Sequence, residues 1–269
     1  MAKKDNGSIV PADISTGIMS MDEEAMDILG PDGVGIDLLP RIELKHAGTV
    51  AFGLQSVEAD DEELVKGSEG FDAVILFMHQ VRAYWEKGFD ERDESDPFPD
   101  CSSLDARVGT RRETNEEVKC AGCEFAQWGS GTGQGQACSA RMRMFLLMKD
   151  STLPRFILVP TTSIKAVKFY WVQLRDKGRN YNNVVTHFGA EKAIRADGGI
   201  EYSKLTLTKV GDIPDEDAER LEPMRDMCKQ GSKRTAVSAA QEDKSSKGVS
   251  EEVKKSNAAD EGDDPFGDE

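Results

Sequence analysis

Alternating apolar and polar positions predict that the middle of the chain is built mainly from β-strands. Residues 71–85 form the longest apolar run and are rich in β-branched and aromatic side chains, which indicates one or two buried strands. Residues 36–44 and 49–54 alternate less regularly on either side of Gly48, which is typical of a β-hairpin. The remaining predicted strands cover residues 155–160, 182–188 and 201–210.

Two segments carry the spacing of a helix instead. Apolar residues recur at helical intervals over 164–174, residues 161–164 offer N-cap side chains, and Gly178 is a natural stop. Pro214 opens a second, acidic helix that we expect to run to about Lys229. Cys228 is expected there as a small, partly buried side chain.

Composition sets the two ends of the chain apart from this middle. Apolar residues make up 38% of the 269 residues, and the mean hydropathy of −0.52 is low for a chain folded throughout. We therefore expect a flexible N-terminal arm at 1–34, a folded domain at 35–230 and a disordered acidic tail at 231–269. No apolar run approaches the roughly 20 residues that span a bilayer, so the sequence predicts a soluble protein of the cytoplasm.

Charge is divided unevenly along the chain. The net charge is −16, yet residues 101–210 hold 17 Lys and Arg against 10 Asp and Glu. Residues 1–100 hold 8 against 23, and residues 211–269 hold 9 against 17. A basic middle between acidic ends suggests a face that binds a polyanion, with flanks that compete for it. The alternative is a dipolar charge distribution without a ligand.

Residues 97–148 hold four of the five cysteines, Cys101, Cys120, Cys123 and Cys138, spaced C-x18-C-x2-C-x14-C. The CxxC pair places two thiolates on one tight turn, where Gly122 supplies backbone freedom, and the outer cysteines complete a tetrahedral set. Because four protein ligands leave no open position, the pattern predicts a structural Zn²⁺ site. Redox-active or adventitious cysteines are the alternatives. A disulfide framework is disfavoured because the N-terminus carries no apolar signal segment.

Residues 99–103, 120–123 and 127–131, with Ala137-Cys138 and the basic and apolar run after it, resemble a known family. It comprises zinc-containing single-stranded DNA-binding proteins of tailed phages, presumed to act in replication or recombination. The likeness covers roughly residues 35–210. It implies a mainly β, α+β fold: an OB-like barrel with flanking helices, an inserted four-cysteine zinc subdomain at 97–148 and an acidic tail. It also implies sequence-tolerant binding of single-stranded DNA without enzymatic activity.

Single-stranded DNA requires basic side chains for its phosphates and aromatic platforms for its bases. Trp128 lies in a glycine-rich loop and is the aromatic residue least expected in the core, whereas Phe169, Tyr170 and Trp171 are expected to be mainly core residues. The candidate DNA-binding residues are Arg107, Arg111, Arg112, Trp128, Arg141, Arg143, Lys165 and Lys168.

The end of the tail provides a separate candidate for partner binding. Asp263, Asp264, Pro265 and Phe266 resemble the acidic Pro-Phe tip with which bacterial single-stranded DNA-binding proteins dock replication and recombination enzymes. Here the aromatic residue is followed by Gly267-Asp268-Glu269 and is not terminal. A generic acidic tail is therefore the alternative.

No sequence motif indicates catalysis. The chain contains no P-loop, GxSxG or HExxH pattern, and the glycine-rich segment 129–135 lacks the Lys-Ser/Thr ending of a phosphate-binding loop, so we interpret it as a flexible loop between zinc ligands. The competing functional hypothesis is a zinc-containing interaction or transcription-associated protein that binds a host or phage protein.

Overall fold

The computed structural model describes residues 39–45, 52–55, 64–68, 70–87, 98–131, 135–148, 151–194 and 201–233. The strands are β1 (Arg41–Leu44), β2 (Phe52–Gln55), β3 (Leu64–Ser68), β4 (Gly70–Tyr84), β5 (Cys101–Ser103), β6 (Val108–Arg111), β7 (Glu117–Lys119), β8 (Ser139–Met148), β9 (Arg155–Val159), β10 (Val184–Ile194) and β11 (Glu201–Asp212). The helices are α1 (Thr161–Asp176), α2 (Asp215–Arg220) and α3 (Glu222–Ser232), with 3₁₀ turns at Glu124–Ala126 and Tyr181–Asn183.

These strands belong to one mixed sheet. Its main path runs β3-β2-β1-β9-β8-β4-β5-β6-β7, and β10 and β11 branch from β4. The described pairings are antiparallel except that of β1 with β9. The predicted hairpin is confirmed, because β1 and β2 pair with Ile42 opposite Leu54.

The long strand β4 organises the sheet. One edge pairs with β8 from Ala73 to Ala83, and the other edge is shared between two partners. Residues 70–74 pair with β10, whereas residues 82–84 pair with β5. The register against β8 shifts between Ile75 and Phe77, and such an irregularity bends a strand. The apolar run predicted as one or two strands is therefore a single strand.

The sheet is strongly curled, and α1 spans the gap that the curl leaves. Thr161 Oγ1 donates to the carbonyl of Ala140 on β8 at 2.6 Å, and Ser163 Oγ accepts from the amide of Leu205 on β11 at 3.0 Å. Ala140 pairs with Arg82 near the C-terminal end of β4. Leu205 pairs with Ala190 on β10, which by register lies just beyond the N-terminal end of β4. In a flat sheet Ala140 and Leu205 would be separated by roughly 40 Å along the strand direction. The first turn of α1, about 5 Å long, contacts both residues, so the sheet must curl.

Buried side chains form two clusters, one on each face of the curled sheet. Phe71 lies in the first and contacts the rings of Phe52 and Phe188, each at a centroid distance of 5.0 Å. The inner face of α1 packs on this cluster. The second cluster joins Phe145 and its neighbours to α2 and α3, where Cys228 is fully buried. Burial raises the pKa of the Cys228 thiol, consistent with a purely structural role.

The ends of α1 agree only in part with the prediction. Gly178 has a φ of +68°, its amide donates to the carbonyl of Arg175, and the next amide donates to Leu174, so the helix ends in a Schellman motif. At the other end Pro160 holds the cap position and no side chain caps the helix. The cap prediction was wrong because the hydroxyls of Thr161 and Ser163 bind the strands instead.

The mainly β expectation with flanking helices is confirmed, whereas the described strands are not closed into a barrel by hydrogen bonds. The second predicted helix is two helices, and α3 continues through Gly231, where the tail was expected to begin. The arm at 1–34, the tail beyond residue 233 and the motif ending at Phe266 lie outside the described residues. No helix in the described ranges is long and apolar enough to cross a membrane.

Candidate metal centre

The four cysteines of residues 97–148 lie at the ends of different secondary-structure elements. Cys101 begins β5, Cys120 directly follows β7, Cys123 precedes the 3₁₀ turn, and Cys138 directly precedes β8. The short antiparallel strands β5, β6 and β7 extend the main sheet from the end of β4. We call residues 98–131 and 135–138 the cysteine module.

The CxxC pair forms the expected tight turn. The amide of Cys123 donates to the carbonyl of Cys120 at 3.3 Å, and the amide of Cys120 donates to that of Arg107 at 2.8 Å. Gly122 has a φ of +83°, in the left-handed region that glycine adopts without strain. The backbone therefore presents both thiols on the same turn.

Strand register directs the remaining groups to one face of the sheet. Directly opposed residues point to the same side, and Tyr84 is opposite Cys101, which is opposite Arg111. Gly109, two residues before Arg111, leaves space for the Cys101 sulfur, since a Cβ there would lie 3.1 Å from it. Arg82, two residues before Tyr84, lies on this face as well.

All four cysteines line a single pocket of about 540 Å³ at this face. Burial, followed by the charges of Cys120 and Cys123, raises the pKa of Cys101. Burial raises the pKa of Cys138 to about 11, with Arg82 acting in the opposite direction. Four thiols around one pocket supply the soft donors that zinc and iron–sulfur clusters prefer, so the residue types fit such a metal.

The thiols share this pocket without forming a closed coordination sphere. Among the described residues, no group of three or more His, Cys, Asp or Glu side chains is arranged to hold a metal ion. Thiols with raised pKa values are protonated near neutral pH and do not attract a cation, so a metal has to displace their protons to bind.

Two contacts attach the module to β4 beside the cysteines. Tyr84 stacks on Phe125 of the 3₁₀ turn, with ring centroids 4.2 Å apart, and the amide of Cys138 donates to the carbonyl of Phe125 at 2.7 Å. Arg82 donates to the carbonyl of Cys138 at 3.4 Å. The cysteines are therefore held by the same strand that organises the sheet.

Trp128 stands on a folded turn next to this site. Its side chain is 73% exposed. The hydroxyl of Ser130 lies 2.9 Å from the carbonyl of Phe125 and accepts from the amide of Ala137 at 3.0 Å. Gly131 lies so close to this returning chain that a Cβ there would be 2.9 Å from the amide of Ala137. The described part of the loop, which we expected to be flexible, is thus hydrogen bonded on both sides.

Seven of the eight predicted DNA-binding residues reach the surface, in three groups. Arg107, Arg111, Arg112 and Trp128 are exposed on the cysteine module, Lys165 and Lys168 are exposed on α1, and Arg141 is half-buried on β8.

Arg143 is only 1% exposed, which contradicts the expectation that it is available to DNA. It lies on β8 opposite His79 of β4, and both faces of this strand are covered by the two clusters. Arg143 is therefore buried because side chains pack on both faces of β8 at this point.

Sequence reasoning gave too little weight to two aromatic residues. Phe169 and Trp171 were expected in the core, yet both are exposed, while Tyr170 is buried and its hydroxyl lies 2.8 Å from that of Thr186. The signal was present, because a helix that buries Ile164, Val167 and Leu174 turns Phe169 outward.

Comparison with known proteins adds no relative to this description. No protein-family model matches the chain, and neither a curated protein nor a solved structure is significantly similar to it.

Proposed function

We propose that this protein binds single-stranded DNA without strong sequence preference and has no catalytic role of its own. The observation that carries the proposal is the exposed Trp128, which a hydrogen-bonded turn holds on the same module as Arg107, Arg111 and Arg112. An exposed indole can stack on any base, and guanidinium groups attract any phosphate backbone. This combination suits an unpaired strand, whose bases are accessible.

The four cysteines belong to the same module as this surface. We propose that Cys101, Cys120, Cys123 and Cys138 hold a structural Zn²⁺ ion, which supplies binding energy for folding and no reactive position. Arg82 and the Tyr84–Phe125 stack then fix the module to β4. In this arrangement Trp128 and the arginines keep a defined position relative to the sheet.

The curled sheet also supports an OB-like arrangement, with α1 joining β8 and β11, which do not pair with each other. We further propose that the protein acts in phage DNA replication or recombination in the host cytoplasm. In this proposal the acidic tail regulates access to DNA, and Asp263, Asp264, Pro265 and Phe266 contact partner enzymes.

Fluorescence anisotropy with oligothymidine and with a duplex of equal length tests DNA binding. Single strands should bind more tightly, and the logarithm of the affinity should fall linearly with the logarithm of the salt concentration. Trp128→Ala should weaken binding roughly 5- to 100-fold and leave the salt slope unchanged.

A matched pair of arginine variants separates phosphate contacts from general charge. Arg107→Gln should reduce the salt slope by about one, whereas Arg220→Gln on α2 should not change it. Equal affinity for duplex, or affinity independent of salt, would refute the proposal. Absence of any DNA binding would favour the competing hypothesis of a zinc-containing interaction protein.

A further inference from the structure

The outer face of α1 exposes apolar side chains. Its inner side is buried on the sheet, but Phe169 is 63% exposed, Val172 is 54% exposed and Trp171 is 42% exposed. Phe169 and Val172 lie one turn apart on the outer face, whereas Trp171 lies on the flank of the helix beside Lys168 and Arg175. None of the three contributes to the buried clusters. A helix that only covered a core would present polar residues here.

Positive charge surrounds these apolar residues. Lys165 lies one turn before Phe169, and Lys168 is the residue directly before it. Arg175 lies one turn after Trp171. None of these three cations makes an ion pair with a described residue, whereas Arg179 beyond the helix contacts Asp212 at 2.7 Å. The outer face therefore combines an aromatic ring with three cations that form no ion pair with a described residue, and Asp176 at the end of the helix is the acidic residue on this side.

The first turn of α1 lies beside the cysteine module. Thr161 bonds Ala140, two residues after Cys138, and Ala140 is opposite Arg82, which itself bonds the carbonyl of Cys138. From this turn, Lys165 and Phe169 follow along the helix at intervals of about 6 Å. A chain leaving the module could thus continue along α1.

We propose that the outer face of α1 is a second binding site for single-stranded nucleic acid, continuous with the module that carries Trp128. A base stacks on Phe169, and Val172 one turn away enlarges the apolar platform. Lys165, Lys168 and Arg175 contact phosphates, and Trp171 lies on the flank beside Lys168 and Arg175. The occupant is assigned by charge complementarity, since a polyanion with flat apolar rings matches both features of this face. This inference rests on the proposed DNA binding and adds where the strand runs.

The first test compares variants of exposed residues, which the fold tolerates. Phe169→Ala should weaken binding of an oligothymidine of about 20 nucleotides roughly 5- to 100-fold. The control is Ile194→Ala, which truncates an equally exposed side chain on β10 and should leave the affinity unchanged. Lys168→Gln should lower the salt slope by about one, whereas Lys229→Gln on α3 should not. With an oligothymidine of about 5 nucleotides, the Phe169→Ala effect should shrink, because Trp128 can hold the short strand alone.

Tryptophan fluorescence reports the site directly. Oligothymidine should still quench emission in Trp128→Phe, and the additional change Trp171→Phe should remove most of that quenching. If wild-type protein binds the long strand while Phe169→Ala and Lys168→Gln behave like wild type, the inference is wrong and the proposed function stands; α1 would then serve a protein or the acidic tail. If wild-type protein binds no single strand, the proposed function itself fails.

Discussion

The contact that holds β11 to α1 can be tested with two buried serines, one with a hydrogen-bond partner and one without. Ser163 and Ser203 are both fully buried, but Ser163 Oγ accepts the Leu205 amide at 3.0 Å, whereas Ser203 Oγ has no hydrogen-bond partner among the described residues. Replacing either by alanine removes one oxygen and leaves almost no cavity. Alanine is favoured in a helix and disfavoured in a strand, so backbone propensity works against the expected difference. A larger loss at Ser163 therefore reports the hydrogen bond.

Ser163→Ala should lower the free energy of unfolding by about 1–3 kcal/mol, because it leaves the Leu205 amide buried without an acceptor. For a folded part of this size, that loss lowers Tm by about 2–4 °C per kcal/mol. Ser203→Ala should be neutral or slightly stabilising, since an unpartnered buried hydroxyl gains nothing from folding.

Urea unfolding followed by tryptophan fluorescence measures both variants, and the comparison is valid where the m-value is unchanged. Equal stability of the two variants would refute the assigned role of Ser163.

Three further predictions concern metal, pH and the tail. Purified protein should contain about one zinc per chain, and Cys123→Ser should release it and expose the cysteine module to protease; protein containing no metal, or iron instead of zinc, would contradict this. Burial, followed by Arg143, lowers the pKa of His79 to about 4, against the opposing effects of the Leu104 carbonyl and Asp105. Stability should therefore be complete above about pH 6.5 and fall by up to about 3 kcal/mol toward pH 4, as unfolded His79 takes up a proton that the folded state excludes; a flat stability profile over this window would contradict the prediction. Truncation after Lys233 should tighten DNA binding several-fold at low salt, with the gain fading as salt rises, and equal affinities at low salt would show that the tail does not compete.

Most of the secondary structure was predictable because its signals are local. Alternation identified the β1–β2 hairpin and β11, and a short apolar run identified β9. The spacing of Ile164, Val167 and Leu174 identified α1. The strands β5, β6 and β7 were not predicted, because segments of three or four residues on a mostly exposed module carry too little apolar pattern.

Burial of single residues was less predictable, because it depends on which strands become neighbours. Arg143 lies in an amphipathic-looking run, but β4 and β9 flank it and both faces are covered. Similarly, Thr161 and Ser163 look like helix caps in the sequence, and only the curl of the sheet brings Ala140 and Leu205 within their reach.

The candidate metal centre shows the same division between local and distant information. The spacing of the cysteines indicates a common site, and Gly122 indicates the turn, because both are properties of one short segment. Spacing could not show that Arg82 and the Tyr84–Phe125 stack hold that segment, since these contacts require β5 to pair with the end of β4. The cysteine module is thus a continuation of the main sheet, not a separate unit in a loop. Its position relative to α1 is set by β4 and by the bond from Thr161 to Ala140, so a strand of DNA that contacts both surfaces would meet them in a fixed relation.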